Sequence, residues 1–125
     1  MAVLRVGIAS YEEMKARTLA IARGDVKAGP RDPTIWFTSM ESFAKLLSLR
    51  NRELLETIAR ERPASLTALA ALSGRAKSNL SRTLHGMAQY GLVELAAGPR
   101  GSLVPRVRYD RIQLEMKLPA PSQGT

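Results

Sequence analysis

The sequence lacks cysteine altogether and contains a single histidine, His85. Without cysteine, disulfide scaffolds, thiolate catalysis and zinc sites built on sulfur are excluded. One histidine excludes any site that needs two imidazoles. The sequence also lacks four other signatures of catalysis or cofactor binding, namely acids paired for catalysis, a metal-ligand cluster, a nucleophile elbow and a phosphate-binding glycine loop. We therefore expect neither a metal nor another cofactor, and no enzymatic activity.

Long apolar runs are absent as well. No segment approaches the roughly 20 apolar residues that span a bilayer. The first residues lack the apolar core of a signal peptide, because Arg5 interrupts them and Glu12 and Glu13 follow. These features predict a cytoplasmic protein associated with the nucleoid if it binds DNA. A length of 125 residues predicts one compact domain that can bury a core without staples.

Acidic residues are scarce in one part of the chain. The whole sequence has 19 Lys and Arg against 11 Asp and Glu, a formal net charge of +8. Between Arg62 and Tyr109 there are seven basic residues and one acid, Glu94, whereas residues 1–38 carry a net charge of +2. This concentration favours an anionic partner, with nucleic acid as the first candidate.

Residues 1–38 predict a strand, a helix and a second strand. Leu4, Val6 and Ile8 alternate with other residues, which is typical of a half-buried strand. Ser10 and Glu13 have the spacing of a capping box. We expect this region to form a dimer interface. Its apolar strands are also expected to share a sheet with residues 112–118, within or between subunits. The expected interface residues are Leu4, Val6, Ile8, Ile35, Trp36 and Phe37.

Residues 39–118 predict a series of helices followed by strands, and residues 119–125 a disordered tail. The expected helix caps are Thr38 (with Glu41), Asn51 and Ser65. A break at Ser73-Gly74 separates the last two helices. After Gly91 the apolar period changes from 3.6 to 2, which predicts strands at 92–95 and 103–109, and then the alternating strand that starts at Ile112.

This order of elements is that of a winged helix-turn-helix with an N-terminal extension, an α+β fold. One helix fits the major groove, the preceding helix braces it, and a basic hairpin reaches the neighbouring phosphates. On the last helix Leu80, Leu84 and Met87 are expected to face inward. The opposite face then presents hydroxyls and cations without an acid.

The segment from Ser78 to Met87, followed by Tyr90-Gly91-Leu92-Val93, resembles the recognition helix and wing entry of MarR-like regulators. Together with Ile35-Trp36-Phe37 and Tyr109-Asp110-Arg111-Ile112, it resembles a small prokaryotic family of MarR-like DNA-binding proteins that are often encoded beside a toxin. The resemblance covers about residues 1–118. It implies a homodimeric repressor that autoregulates its operon and binds a cognate toxin, the antitoxin of a type II toxin–antitoxin pair. Gly86 departs from the family pattern, which usually has a long polar residue there.

The expected DNA contacts come from two sources. The resemblance supplies Ser78, Asn79, Ser81 and Arg82 for the groove and Arg100 for the wing tip, although Ser78 or Asn79 also fits a helix cap. Charge, helix termini and the expected hairpin add Ser65, Thr67, Arg75, Lys77, Arg106 and Arg108. A stand-alone MarR-like regulator that responds to a small ligand is the main alternative. A protein–protein adaptor and an RNA-binding protein are the others.

Overall fold

The computed structural model describes residues 2–118, and the predicted tail at 119–125 lies outside them. The chain has an α+β fold, which confirms the predicted class. A short 3₁₀ turn at Pro99–Gly101 connects two of the strands. In chain order the other elements are β1 (Ala2–Ile8), α1 (Tyr11–Ala22), β2 (Ile35–Phe37), α2 (Met40–Leu46), α3 (Leu49–Glu61), α4 (Leu66–Ser73), α5 (Lys77–Gln89), β3 (Glu94–Ala97), β4 (Leu103–Arg106) and β5 (Tyr109–Met116).

β1 is the central strand of a three-stranded parallel sheet with the order β2-β1-β5. Leu4 lies opposite Ile112 of β5, and Ile8 lies opposite Phe37 of β2. The first and last strands therefore share a sheet within one chain, which is the intramolecular form of the prediction. The predicted boundary between the regions 1–38 and 39–118 therefore places β1 and β5 in different regions, although these two strands pair in one sheet.

The two faces of the sheet are covered by different helices. Leu4, Val6 and Ile8 are buried in the same apolar core as residues of α3, α4 and α5. On the other face the Trp36 ring lies directly on Gly7, so that a Cβ at residue 7 would overlap the ring. Arg17 of α1 lies over the same ring, 5.5 Å from its centroid. The sheet is consequently a middle layer between α1 and the other helices.

Three aromatic rings join β2 to the helices. Phe37 is buried and stacks on Tyr90, with ring centroids 4.1 Å apart. Phe43 of α2 meets the Phe37 ring edge-on at 5.3 Å. Such pairs stabilise by about 0.5–1.5 kcal/mol beyond the area they bury. They fix the end of α5 relative to the sheet.

Serine hydroxyls begin most of the helices. The capping box of Ser10 and Glu13 is present and confirms that prediction. Two predicted caps are wrong by one and three residues. Ser39 caps α2 in place of Thr38, and Ser48 caps α3 in place of Asn51. Neighbouring residues of similar capping strength made these positions ambiguous in the sequence.

The helices α3, α4 and α5 follow one another through left-handed residues. Arg62, with φ of 47°, ends α3 immediately before Pro63. Gly74, with φ of 73°, ends α4, and only Arg75 and Ala76 separate it from α5. Glycine adopts this conformation without a steric penalty, which explains the position of the break. The prediction of a break at Ser73-Gly74 is confirmed.

β3 and β4 form an antiparallel hairpin in which Glu94 lies opposite Arg106. The strand predicted over 103–109 is divided in two. β4 ends at Arg106, and Tyr109 begins β5 because it pairs with Ala2 of β1 instead of extending the hairpin. Pro105 lies opposite Leu95 in this two-stranded sheet, which agrees with its predicted edge position.

Candidate nucleic-acid interface

α5 has one buried face and one exposed face. Leu80, Leu84 and Met87 are fully buried, as predicted. The opposite side, which we call the α5 outer face, comprises Lys77, Ser78, Asn79, Arg82 and His85, all exposed, with Ser81 half-buried beside them. It carries two cations and no acidic side chain. The structure therefore brings together the residues predicted on this helix.

The first turn of α5 has no side-chain cap. Ala76 is the N-cap residue, and it cannot accept a hydrogen bond through its side chain. Ser78 and Asn79 lie inside the first turn, so the alternative that either caps the helix is wrong. The first backbone N–H groups of a helix have no partner within it and favour an anion. This end of α5 combines such N–H groups with the Lys77 ammonium.

His85 was not among the predicted contacts, but it belongs to the α5 outer face. Its Nδ1 lies 2.6 Å from the backbone oxygen of Ser81. Because a carbonyl oxygen only accepts, Nδ1 carries the proton and donates it, and Nε2 is left for an external partner. The sequence contains a signal for this position, because His85 follows Ser81 by four residues and residues at this spacing lie on the same face of a helix.

Arg75 is placed differently from the prediction. The residue is only 8% exposed, and its Nη2 donates to the backbone oxygen of Arg50 and to Oδ1 of Asn51, both at 3.0 Å. Burial lowers the pKa of the guanidinium from its usual value, and the nearby positive charge of Arg50 contributes. The predicted phosphate contact is therefore a link between the α4–α5 connection and the start of α3.

The start of α4 exposes the Thr67 hydroxyl. Ser65 is the N-cap, and its Oγ accepts the Ala68 N–H at 3.1 Å, which confirms it as a cap. Thr67 lies inside the first turn of the helix and is exposed. Of the two predicted contacts on this helix, Thr67 is the more accessible.

The arginines of the hairpin and its exit divide into three environments. Arg100 is exposed at the tip with φ of 60°, and within residues 2–118 it makes no salt bridge. Arg106 is half-buried, and its Nη1 donates to the backbone oxygens of Pro63 and Pro105 at 3.0 and 2.8 Å. Arg108 is exposed and pairs with Glu94 at 2.5 Å. Arg106 is thus an internal anchor through its Nη1, and the phosphate contact expected of it stays a prediction.

Most residues of the expected dimer interface are inside the chain. Leu4, Val6, Ile8 and Phe37 are buried core residues, because β1 is the central strand and β2 and β5 cover both of its edges. Only Ile35 and Trp36 are partly exposed. The apolar alternation that predicted an interface is explained by the sheet within one chain.

A cleft between α1 and the sheet was not anticipated. It has a volume of about 390 Å³ and lies at the carboxyl ends of the parallel strands. Its lining is mainly apolar with a few charged groups, and includes Met14, Arg17, Ala20, Trp36, Glu115 and Lys117. The strand–helix–strand order of residues 1–38 could have indicated this cleft, since open parallel sheets bind ligands at the carboxyl ends of their strands.

The comparisons with known proteins add one match. The HVO_A0114 family model matches residues 46–114, more than half of the chain. The match includes α3, α4, α5, the hairpin and most of β5. No curated protein and no solved structure matches the sequence. In the part of the chain that the structure describes, no helix has the length and apolar character needed to cross a membrane.

Proposed function

The chain belongs to the HVO_A0114 family, and we propose that it is a sequence-specific repressor that binds double-stranded DNA. In this proposal α3, α4, α5 and the β3–β4 hairpin form a winged helix-turn-helix. α5 is the recognition helix, α4 braces it, and the hairpin is the wing. The observation that supports this most directly is the α5 outer face, which is exposed, polar and free of acids.

The side chains of this face suit a DNA groove. A major groove about 12 Å wide admits one helix, and short hydroxyl side chains such as Ser78 and Ser81 permit close approach. Arginine pairs with the O6 and N7 atoms of guanine, and asparagine pairs with adenine, so Arg82 and Asn79 are the proposed base readers. Lys77 and Thr67 are the proposed phosphate contacts, and Arg100 extends the contact from the tip of the wing.

The charge around the face supports an anionic partner. From residue 62 to residue 109, Glu94 is the one acid, and Arg108 pairs with it. Lys77, Arg82 and Arg100 have no such carboxylate partner within residues 2–118. A duplex supplies phosphates for these cations, and their binding releases counterions.

The finer part of the proposal concerns assembly and biological role. We propose that the protein binds its operator as a homodimer, because two half-sites about one helical turn apart need two recognition helices. The resemblance to MarR-like proteins encoded beside toxins leads us to propose that it is an antitoxin that represses its own operon. Two experiments would test this role. The protein should co-purify with the product of a neighbouring small gene, and its co-expression should restore the growth of cells in which that gene is expressed.

DNA binding itself is tested by selection from fragments of the source genome, followed by titration against duplex DNA and RNA at several salt concentrations. We expect an enriched duplex sequence and an affinity that falls steeply with salt. The double variant Lys77→Ala/Arg82→Ala should lose binding. Lys15→Ala/Lys27→Ala removes the same charge from the α1 side of the sheet and should retain it. Equal loss in both variants, or preference for RNA, contradicts the proposal.

The cleft beside Trp36 supports the second candidate, a regulator released from DNA by a small ligand. Its volume of about 390 Å³ lies in the range of small-molecule sites. A compound that binds there should raise the melting temperature and lower DNA affinity. Trp36→Ala should abolish both effects while the α5 outer face remains intact. A compound that acts equally on this variant would assign the effect to another place.

A further inference from the structure

β5 has a free edge along eight residues. On one side it pairs with β1, and on the other side no strand of residues 2–118 pairs with it. Proteins usually protect such an edge with a proline, a bulge or a covering element, since its N–H and C=O groups are ready to pair. β5 contains no proline, and the one irregularity in its pairing with β1 leaves Asp110 as an extra residue near the start of the strand, so that Arg111 to Met116 run without a bulge.

The apolar face of β5 is also incompletely covered. Ile112, Leu114 and Met116 lie opposite Leu4, Val6 and Ile8 of β1 and so belong to the same face of the sheet. The β1 residues are buried, but Leu114 is 41% exposed and Met116 is 46% exposed. Ile112 still packs against the core, whereas Leu114 and Met116 continue the apolar strip to the exposed sheet edge.

The centre of β5 is complementary to itself when two copies run antiparallel. If Gln113 lies on the two-fold axis, Arg111 faces Glu115 of the second copy and Ile112 faces its Leu114. This register places opposite charges on one face and apolar side chains on the other. With Leu114 on the axis, Arg111 would face Lys117 instead. A register centred between two residues would put apolar side chains opposite polar ones.

We propose that β5 is the dimer interface, pairing antiparallel with β5 of a second copy about an axis at Gln113. The two three-stranded sheets then form one six-stranded sheet, β2-β1-β5-β5-β1-β2. A two-fold interface uses the same patch on both copies, as this register requires. The inference deepens the dimer of the proposed function and rests on that part of it. It is measured without DNA, so its failure leaves DNA binding by α5 separately testable.

Charge reversal tests the register. Arg111→Glu puts carboxylates opposite each other in both symmetry-related pairs, and Glu115→Arg puts guanidinium groups opposite each other. We expect each single variant to weaken dimerisation by roughly ten- to a hundredfold, since two attractive pairs become repulsive. The double variant Arg111→Glu/Glu115→Arg restores opposite charges and should dimerise like the original protein. Sedimentation equilibrium measures the dissociation constants.

Mixing the two single variants gives the most specific result. Each homodimer brings like charges together across the interface. In the heterodimer, one copy has carboxylates at positions 111 and 115 and the other copy has guanidinium groups there, so both pairs are attractive. A heterodimer with near-original affinity supports the register. Lys27→Glu, a charge reversal in the exposed loop after α1, is the matched control and should change nothing.

Three results overturn the inference. The first is an original protein that sediments as a monomer throughout the micromolar range. The second is a dimer that the single variants do not weaken, and the third is weakening that neither the double variant nor the mixture reverses. Circular dichroism of each variant separates lost pairing from lost folding. If Arg111→Glu does not fold, Glu115→Arg and the double variant still decide the question.

Discussion

The α5 outer face and the surfaces that border it differ in how they use arginine. Arg82 on the outer face is exposed, whereas Arg75, in the connection before α5, is buried and hydrogen-bonded to α3. At the hairpin the same contrast separates Arg100 at the tip from Arg106 at the base. All of these arginines lie in the acid-poor stretch that suggested a nucleic-acid partner. A local excess of arginine therefore serves two purposes. Some of these arginines are exposed on the candidate binding surface, and others form the internal hydrogen bonds that hold the neighbouring elements in place.

The largest loss of stability expected from this contrast is at Arg75. Arg75→Ala removes two hydrogen bonds of a charged group and leaves Oδ1 of Asn51 without that donor. We expect the free energy of unfolding to fall by about 2 kcal/mol. Urea denaturation measures this loss, and DNA affinity should be unchanged within about twofold at temperatures where the variant is folded. An unchanged stability with lost DNA affinity would place Arg75 on the binding surface.

The next effect is on DNA affinity. Arg82→Ala should weaken operator binding by about 1–3 kcal/mol if Arg82 reads a base. It should also reduce the difference in affinity between operator and non-specific DNA. Because the side chain is exposed, the free energy of unfolding in urea should change by less than about 0.5 kcal/mol. Fluorescence anisotropy with operator and scrambled duplexes measures the affinities. Equal weakening on the two duplexes would make Arg82 a phosphate contact.

A smaller effect on stability is expected at the hairpin base. Arg106→Ala loses the donor to the Pro63 and Pro105 oxygens, and the free energy of unfolding should fall by about 1 kcal/mol. Arg108→Ala is the matched control, since its ion pair with Glu94 is exposed and such pairs contribute about 0–1 kcal/mol. Urea denaturation compares the two variants. A loss for Arg108 as large as that for Arg106 would remove the distinction between anchor and surface arginine.

The smallest effect is expected at the start of α5. Lys77→Ala should weaken binding to all duplex sequences alike and reduce the slope of log K against log salt by about one. Titrations of operator DNA over a series of salt concentrations measure the slope. Loss of preference for the operator, with the slope unchanged, would show that Lys77 reads a base instead.

Local patterns predicted much of this fold. The capping box of Ser10 and Glu13, the glycine break at residue 74 and the buried positions Leu80 and Leu84 each depend on residues a few positions apart. Such signals can be recognised before any tertiary contact is known. The α+β class follows from their order.

The remaining features depend on partners far away in sequence. Arg75 and Arg82 look alike until the chain folds, because the oxygens that bind Arg75 belong to residues 50 and 51. Likewise, the sequence of Leu4–Ile8 does not reveal that β2 and β5 pair with both edges of β1. The apolar side chains of β1 therefore suggested a dimer interface. The exposed residues of α5 could be anticipated because helical periodicity alone separates their face from the core.

The parallel pairing of β1 with β5 has a consequence for how the chain reaches its folded form. Arg5 of β1 and Gln113 of β5 are hydrogen-bonded although they are 108 positions apart in the sequence. Contacts of such long sequence separation form slowly, whereas α3, α4 and α5 close over short loops. During synthesis β1 emerges first and must wait for β5, which leaves the ribosome much later. The helical part with α5 can therefore be in place while the strand that completes the sheet is still being made.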